Sequence, residues 1–168
     1  MTITLIGMPG SGKTCMGKAL SKKLDMRVVD GDHLIEKNTG RKLQSIIDED
    51  GMDEFKRIEK ETLLSINEDN IIITPGGSAI YYEDVMNHFK SLGIVIYLYV
   101  GTKNLLKRLG DYSKRGIVLK PGQTIEDLFN ERRPLLEKYA DIKINCDGNF
   151  YSFYQKDAIR KIMNYKKS

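Results

Sequence analysis

Residues 7–14 read GMPGSGKT and match the phosphate-loop pattern G-x-x-x-x-G-K-[ST] in full. An apolar, β-branched run at 2–6 precedes the motif and an amphipathic stretch at 13–24 follows it, as the strand and helix of such a loop require. Glycines let backbone N–H groups approach phosphate oxygens, and a helix N-terminus favours anions. We therefore predict a nucleoside triphosphate site formed by Gly10, Ser11, Gly12, Lys13, Thr14 and Cys15. Lys13 is expected to contact the β- and γ-phosphates, and the Thr14 hydroxyl is expected to ligate Mg²⁺.

The rest of the chain alternates apolar strand-like runs with amphipathic stretches. This predicts an α/β fold in which a five-stranded parallel sheet carries helices on both faces, within one domain spanning residues 1–168. Ligands of such sheets bind beyond the carboxyl ends of the strands. The predicted strands are 2–6, 27–30, 71–74, 93–100 and 142–145. The predicted helices are 13–24, two short ones within 33–50, 52–66, 79–90, 103–109, 124–139 and 151–165.

Composition excludes several other classes of protein. The chain is 40% hydrophobic and 30% charged, which is typical of a globular domain rather than a disordered one. No apolar run approaches the ~20 residues of a membrane helix, and we expect no signal peptide. A net charge of +4 without nucleic-acid motifs predicts no nucleic-acid partner. Two cysteines in such a chain indicate reduced thiols and a cytoplasmic protein.

The basic excess is concentrated between residues 103 and 120. A basic, glycine-containing loop of this kind suits a small polyanion such as a nucleoside triphosphate. Residues 110–123, which contain Arg115, have the composition of a lid that closes over phosphates. For Cys15 a small buried residue is an alternative to a nucleotide contact.

Asp30 and Asp32 follow the predicted second strand. One carboxylate could hold the water shell of Mg²⁺, and the other could orient a substrate hydroxyl and accept its proton. The alternative is a turn in which Asp32 caps the next helix. Since the third strand ends in Thr74 without an acidic residue, we assign the magnesium role to Asp30.

Residues 75–78 (PGGS) follow the third strand. Their backbone N–H groups could face a ligand, or the segment could be a turn that starts a helix. Among the basic residues of the helices, Arg57 could simply pair with Glu61 one turn later.

In the order of these motifs the chain resembles the shikimate kinases, over nearly its whole length. The resemblance depends on GMPGSGK at 7–13, D-x-D at 30–32, I-E-x-x-T-G-R at 35–41 and D-G at 50–51. It continues with EFKRIE at 54–59, the glycine pair at 76–77, R-x-P-L at 132–135 and Ala-Asp at 140–141. It implies a nucleoside-monophosphate-kinase-like, three-layer fold and ATP- and Mg²⁺-dependent phosphorylation of the shikimate 3-hydroxyl, a step toward aromatic amino acids. It also implies a monomer, with a substrate-binding segment at about 32–60 and a lid at about 110–123.

The resemblance implies the following roles. Lys13, Asp32 and Arg115 would be catalytic, with Asp32 holding the substrate hydroxyls. Asp30 and Thr14 would serve the metal, and Arg108 would lie near the adenine. The small hydroxylated acid would contact Asp32, Lys56, Gly76, Gly77, Ser78 and Arg132, with Arg132 pairing to its carboxylate.

The sequence departs from the family pattern at four places. Lys56 replaces an arginine of the carboxylate clamp, so the charge remains and the planar fork is lost. Ser78 replaces a third glycine and would place a side chain in the pocket. The lid reads Arg115-Gly116-Ile117 where R-P-L is usual, and Leu136 replaces a tyrosine. Two alternatives therefore stay open: a kinase of another small hydroxy acid such as gluconate, and an ATP-binding protein with weak or lost catalysis.

Overall fold

The computed structural model describes residues 1–110, 117, 119–148 and 151–165, and within them five strands form one sheet. The strand order is β2-β3-β1-β4-β5 and every neighbouring pair is parallel, which confirms the predicted fold class. β1 is central, and all five of its residues are buried because it is covered on both faces. The strands are β1 (Thr2–Ile6), β2 (Arg27–Asp30), β3 (Ile71–Thr74), β4 (Gly93–Tyr99) and β5 (Ile142–Asn145).

Helices cover both faces of the sheet, because right-handed crossovers run in opposite directions from the centre. One face carries α1, packed on β2 and β3, and α8, packed on β5; the other carries α5 against β1 and β4, and α7 against β4. The helices are α1 (Lys13–Leu24), α2 (Gly31–Thr39), α3 (Leu43–Asp50), α4 (Met52–Leu64), α5 (Glu83–Leu92), α6 (Thr102–Leu109), α7 (Ile125–Tyr139) and α8 (Tyr151–Tyr165).

The predicted helix over 79–90 is wrong in its first turn. Residues Ala79–Tyr81 form one 3₁₀ turn, and α5 begins only at Glu83. This break allows the Tyr81 side chain to leave the α5 face and turn toward α7, where it contacts Glu131 and Arg132.

Helices α2, α3 and α4 surround a small apolar cluster of their own. Ile35, Ile46 and Phe55 form its buried centre, apart from the main core under the sheet. Arg41 closes this segment by pairing with Asp50 at 2.5 Å and with Glu49 at 2.6 Å. The segment places α4 beside the carboxyl end of β3, where Glu59 contacts the loop that follows the strand.

Among the residues that the structure describes, no helix combines the length and the apolar character needed to cross a bilayer. The two cysteines are free thiols.

A capping box starts α7, formed by Thr124 and Asp127, whose spacing of three residues in the sequence is typical of this motif. The Thr124 hydroxyl accepts from the Asp127 N–H at 3.1 Å, and the Asp127 carboxylate accepts from the Thr124 N–H at 2.8 Å. Replacing Thr124 with alanine should therefore lower the free energy of unfolding by about 1 kcal/mol, measured by urea denaturation. Thr102→Ala, at the first residue of α6 where no side-chain cap forms, should change it by less than half as much. Equal losses in the two variants would contradict this account.

Candidate active site

The loop after β1 wraps around a space at the N-terminus of α1. Gly10 and Gly12 adopt φ angles of +79° and +96°, a left-handed backbone that favours glycine. The first helical hydrogen bond runs from the Met16 N–H to Gly12 O at 2.8 Å. The N–H groups of residues 13–15 therefore have no backbone acceptor within the described chain and point out of the helix end, as an anion site requires.

Lys13 bends back over this loop. Its Nζ donates to Gly7 O at 2.9 Å and to Met8 O at 3.2 Å. Burial and, after it, the positive charge of Arg132 lower the pKa of Lys13 to about 8, against the attraction of Asp32 and Asp30. Among the described residues the ammonium group donates only to these two neutral carbonyls, and a triphosphate would be a stronger acceptor.

A cavity of about 330 Å³ lies beside the loop and is open toward solvent. Cys15 is exposed on its wall, so the alternative of a small buried residue is wrong. Arg108 reaches the opposite wall, where its Nη2 donates to Cys146 O at 2.5 Å and to Gly148 O at 3.2 Å. The cavity is lined by Gly10, Ser11, Gly12, Cys15, Met16, Arg108, Cys146, Gly148 and Tyr154, a set that could hold a nucleoside next to the phosphate loop.

Asp30 and Asp32 differ in their contacts at the end of β2. Asp30 caps α2 by accepting from the His33 N–H at 3.1 Å, and it also accepts from the Thr74 hydroxyl at 3.2 Å. The expectation that Asp32 caps this helix is therefore wrong, because the helix already begins at Gly31. Asp32 is left open to the cleft. Desolvation by the cleft walls, with repulsion from Asp30 and Glu59, raises the pKa of Asp32 to about 6.

Glu59, which the sequence analysis did not single out, is a buried carboxylate in the floor of the cleft. It is 1% exposed and accepts from the Ser78 hydroxyl at 2.6 Å and from the Tyr82 hydroxyl at 2.7 Å. A Cβ on Gly76 would lie 2.9 Å from Asp32 Oδ1 and 3.0 Å from Glu59 Oε1, so the glycine is needed there. Glu59 lies one helical turn after the buried Phe55 and therefore on the same face of α4. A charged residue on the apolar face of a helix is the sequence signal that could have identified it.

The Ser78 hydroxyl donates to the buried Glu59 at 2.6 Å, so this side chain is hydrogen-bonded within the protein. That it also contacts the substrate stays a prediction. The backbone N–H groups of Gly77 and Ser78 have no hydrogen-bond acceptor in the described part of the chain.

Arg132 lies on the opposite side of this loop and is 9% exposed. Its Nη1 would be 2.6 Å from a Cβ at Gly77, so only glycine allows the guanidinium to come so close. Its Nε donates to the Tyr81 hydroxyl at 3.3 Å. No acidic side chain pairs with Arg132 among residues 1–110, 117, 119–148 and 151–165, which leaves a buried cation that lacks an anion.

Lys56 and Arg57 project from different sides of α4. Arg57 is fully engaged with Glu54 at 2.6 Å and with Glu61 at 2.7 Å, as the sequence allowed. Lys56 is exposed and has no ion pair with any residue that the structure describes. It precedes Glu59 by three residues, a spacing that makes the two side chains neighbours on the helix surface.

The structure thus brings together the loop residues 10–15, Asp30, Asp32, Gly76, Gly77 and Arg132 at one edge of the sheet. Arg108 lies at the neighbouring cavity. Arg115 and Gly116 fall outside the described residues. The sequence analysis also missed Cys146, Gly148 and Tyr154; the first two follow β5, and the rule of strand carboxyl ends could have found them.

The side chains near the phosphate loop also determine how a divalent cation could be bound. In the described parts of the chain no cluster of three or more acidic, histidine or cysteine side chains could hold a metal by itself. The Thr14 hydroxyl and the Asp30 carboxylate remain, which suits Mg²⁺ because this ion keeps several waters and relies on substrate phosphates for other ligands.

A protein-family model described as "Shikimate kinase" matches residues 9–163. The shikimate kinase of Sulfurihydrogenibium sp. (strain YO3AOP1) is 34% identical over 161 residues, covering 95% of this chain and 96% of that protein.

Two solved structures share the fold. One is shikimate kinase from Acinetobacter baumannii in complex with shikimate, with a TM-score of 0.89, 28% identity, and coverage of 99% of this chain and 95% of that one. The other is shikimate kinase from Aquifex aeolicus, with a TM-score of 0.83, 27% identity, and coverage of 100% and 99%.

The hydrogen bond from Ser78 to the buried Glu59 yields a stability prediction. Ser78→Ala removes one of two hydroxyl donors from a buried carboxylate, which should lower the free energy of unfolding by about 1.5–3 kcal/mol in urea titrations. Ser91→Ala is the matched control, because its hydroxyl donates only to a backbone carbonyl on the exposed surface. If Ser78→Ala were no more destabilising than Ser91→Ala, Glu59 would not depend on this hydroxyl.

Proposed function

The chain belongs to the shikimate kinase family, and from this premise we propose that it transfers the γ-phosphoryl group of ATP to the 3-hydroxyl of shikimate. As a member of the family it is an ATP-dependent kinase that acts on a hydroxyl group. The observation that supports shikimate most strongly is Arg132, a buried guanidinium without an acidic partner in the described chain, beside Asp32 and the glycine pair. A small acid with a carboxylate at one end and hydroxyls at the other satisfies both groups at once.

The acceptor would bind between Arg132 and Asp32. Its carboxylate would pair with the guanidinium, which lies close to Gly77, and the N–H groups of Gly77 and Ser78 would be further donors. Asp32 accepts a hydrogen bond from the reacting hydroxyl and takes its proton as the oxygen attacks the γ-phosphorus. The bond from that phosphorus to the β,γ-bridging oxygen breaks, and ADP leaves with the electron pair.

The nucleotide would lie with its phosphates in the loop after β1 and its nucleoside in the 330 Å³ cavity. The N–H groups of residues 13–15 and the Lys13 ammonium stabilise the charge that develops on the phosphoryl oxygens. Arg108 borders the nucleoside space, and Arg115 belongs to the proposed lid at about 110–123. When bound, Mg²⁺ neutralises charge on the β- and γ-phosphates. Thr14 would hold it directly, and Asp30 through water.

The remaining parts of the proposal concern the protein in its cell. We place the enzyme in the cytoplasm as a monomer of one domain, with residues 32–60 as its substrate-binding segment. The free thiols of Cys15 and Cys146 support a reducing compartment, and the separate apolar cluster of α2–α4 supports a distinct substrate-binding segment.

The activity is tested by ADP release from Mg-ATP with shikimate, quinate, gluconate or no acceptor. Turnover with shikimate alone is expected. Turnover with another acid alone would overturn the assignment of shikimate, and ATP binding without any transfer would favour a binding protein.

The same assay tests Asp32. Asp32→Asn should lower kcat by about 100-fold or more while the Kd for ATP stays within about threefold, because the carboxylate serves the proton and not the phosphates. Asp25→Asn, at the end of α1, should leave both values unchanged, since asparagine also accepts its left-handed backbone. Normal turnover of Asp32→Asn would remove this residue from the catalytic role.

Lys56 supplies a second prediction about the substrate. Lys56→Arg should lower KM for shikimate about three- to tenfold and leave KM for ATP unchanged, because a planar fork can bind a carboxylate with two hydrogen bonds. Lys60→Arg is the control on the same helix, since Lys60 pairs with Asp84. An unchanged or raised KM for shikimate would exclude Lys56 from the carboxylate clamp.

A further inference from the structure

The guanidinium of Arg132 and the phenol of Tyr81 contact each other in two ways. Arg132 Nε donates to the Tyr81 hydroxyl at 3.3 Å, and its Cζ lies 5.4 Å from the centre of the Tyr81 ring. Both contacts are attractive for a cation, the second because the ring face is electron-rich. Tyr81 is 44% exposed, so burial of its ring in the core does not explain its position.

The Tyr81 hydroxyl is itself fixed. It donates its single proton to Glu131 Oε2 at 2.9 Å, which leaves its lone pairs for Arg132. A carboxylate acceptor polarises the O–H bond and makes the oxygen a stronger acceptor toward the guanidinium. The anion Glu131 can only accept from the hydroxyl, and the cation Arg132 can only donate to it. These two charges therefore set the direction of both hydrogen bonds.

Glu131 is anchored to a rigid turn at the start of α7. Lys120 Nζ donates to its Oε1 at 2.8 Å, and Gln123 Nε2 donates to its Oε2 at 3.4 Å. Lys120 and Gln123 flank a turn closed by the Gln123 N–H to Lys120 O bond at 2.9 Å, with Pro121 and Gly122 at its centre. Gly122 has a φ of +76°, as a type II turn requires. The bonds from Lys120 and Tyr81 lower the pKa of Glu131 to about 2, so it stays ionised.

We propose that Tyr81 is a positioning residue for Arg132, whose guanidinium it orients toward the acceptor carboxylate without neutralising its charge. The alternative way to orient a buried arginine is an acidic partner, which would compete with the substrate for the same hydrogen-bond donors. A neutral hydroxyl and an aromatic face avoid this competition. The orientation of the Arg132 guanidinium matters more in this chain because position 56 is a lysine and does not supply a second planar guanidinium. The assignment of a carboxylate to Arg132 rests on the proposed function.

Kinetics of Tyr81→Phe test the proposal. This variant keeps the ring and removes the hydroxyl, so KM for shikimate should rise about three- to tenfold while kcat and KM for ATP stay within about twofold. Tyr81→Leu removes both contacts and should raise KM further. Tyr139→Phe is the matched control: its ring also carries a lysine, with Lys138 Nζ 4.9 Å from the centre, and its hydroxyl lies 3.5 Å from the same Nζ. A general loss of stability would instead lower the apparent kcat, through the loss of folded enzyme, and leave both KM values unchanged.

A second readout needs no substrate. The Arg132 Nε–H resonance, identified in ¹H–¹⁵N spectra by its loss in Arg132→Lys, should shift and exchange faster with water in Tyr81→Phe. It should stay unchanged in Tyr139→Phe. If wild-type protein did not phosphorylate shikimate, the proposed function would fail, and this resonance would still decide whether Tyr81 positions Arg132.

Substitution of Glu131 can be followed by the same two measurements, the KM for shikimate and the Arg132 resonance. Glu131→Gln should move the Arg132 resonance in the same direction, and the double variant Tyr81→Phe/Glu131→Gln should raise KM no more than Tyr81→Phe alone. An Arg132 resonance that is unchanged in Tyr81→Phe would overturn the proposal. Additive effects of the two substitutions on KM would overturn the link through Glu131.

Discussion

The pairing of β1 between β3 and β4 is the constraint on which the site depends. With β2 at the edge beside β3, the carboxyl ends of β1, β2 and β3 open at one edge of the sheet. The register that places Asp30 opposite Thr74 brings the residues after β2 beside those after β3. This alignment brings the phosphate loop, Asp32 and the glycine pair together, since no local sequence connects them.

Two buried charged groups of the cleft are held by neutral partners. Glu59 is an anion fixed by neutral hydroxyls of Ser78 and Tyr82, and Arg132 is a cation fixed by the neutral hydroxyl and ring of Tyr81. Neither buried charge is cancelled by an ion pair within the described residues. The electrostatic field in the cleft is thereby preserved for ligands, whereas direct ion pairs would have weakened it. Two of the three hydroxyls come from tyrosines at adjacent positions, on and just after the 3₁₀ turn.

This arrangement also connects two departures from the family pattern. The hydroxyl of the serine at position 78 donates to the buried Glu59. The lysine at position 56 has no ion pair in the described chain, while Arg57 pairs with Glu54 and Glu61. In the proposed function, carboxylate recognition would therefore depend mainly on Arg132, and the groups that orient that side chain would gain importance.

The sequence by itself determined the fold class, the phosphate loop and the edge of the sheet where ligands bind. These follow from local patterns: a fixed spacing of glycines and lysine, apolar strands and amphipathic helices. It also placed the capping box at Thr124 and the pairing of Arg57 with Glu61, since both span a single helical turn. Only the tertiary structure decided that Asp30 rather than Asp32 caps α2, that Ser78 turns to Glu59, and that Tyr81 contacts Arg132. The last two join residues separated by 19 and 51 positions, and such contacts depend on packing between elements, which periodicity along the chain cannot specify.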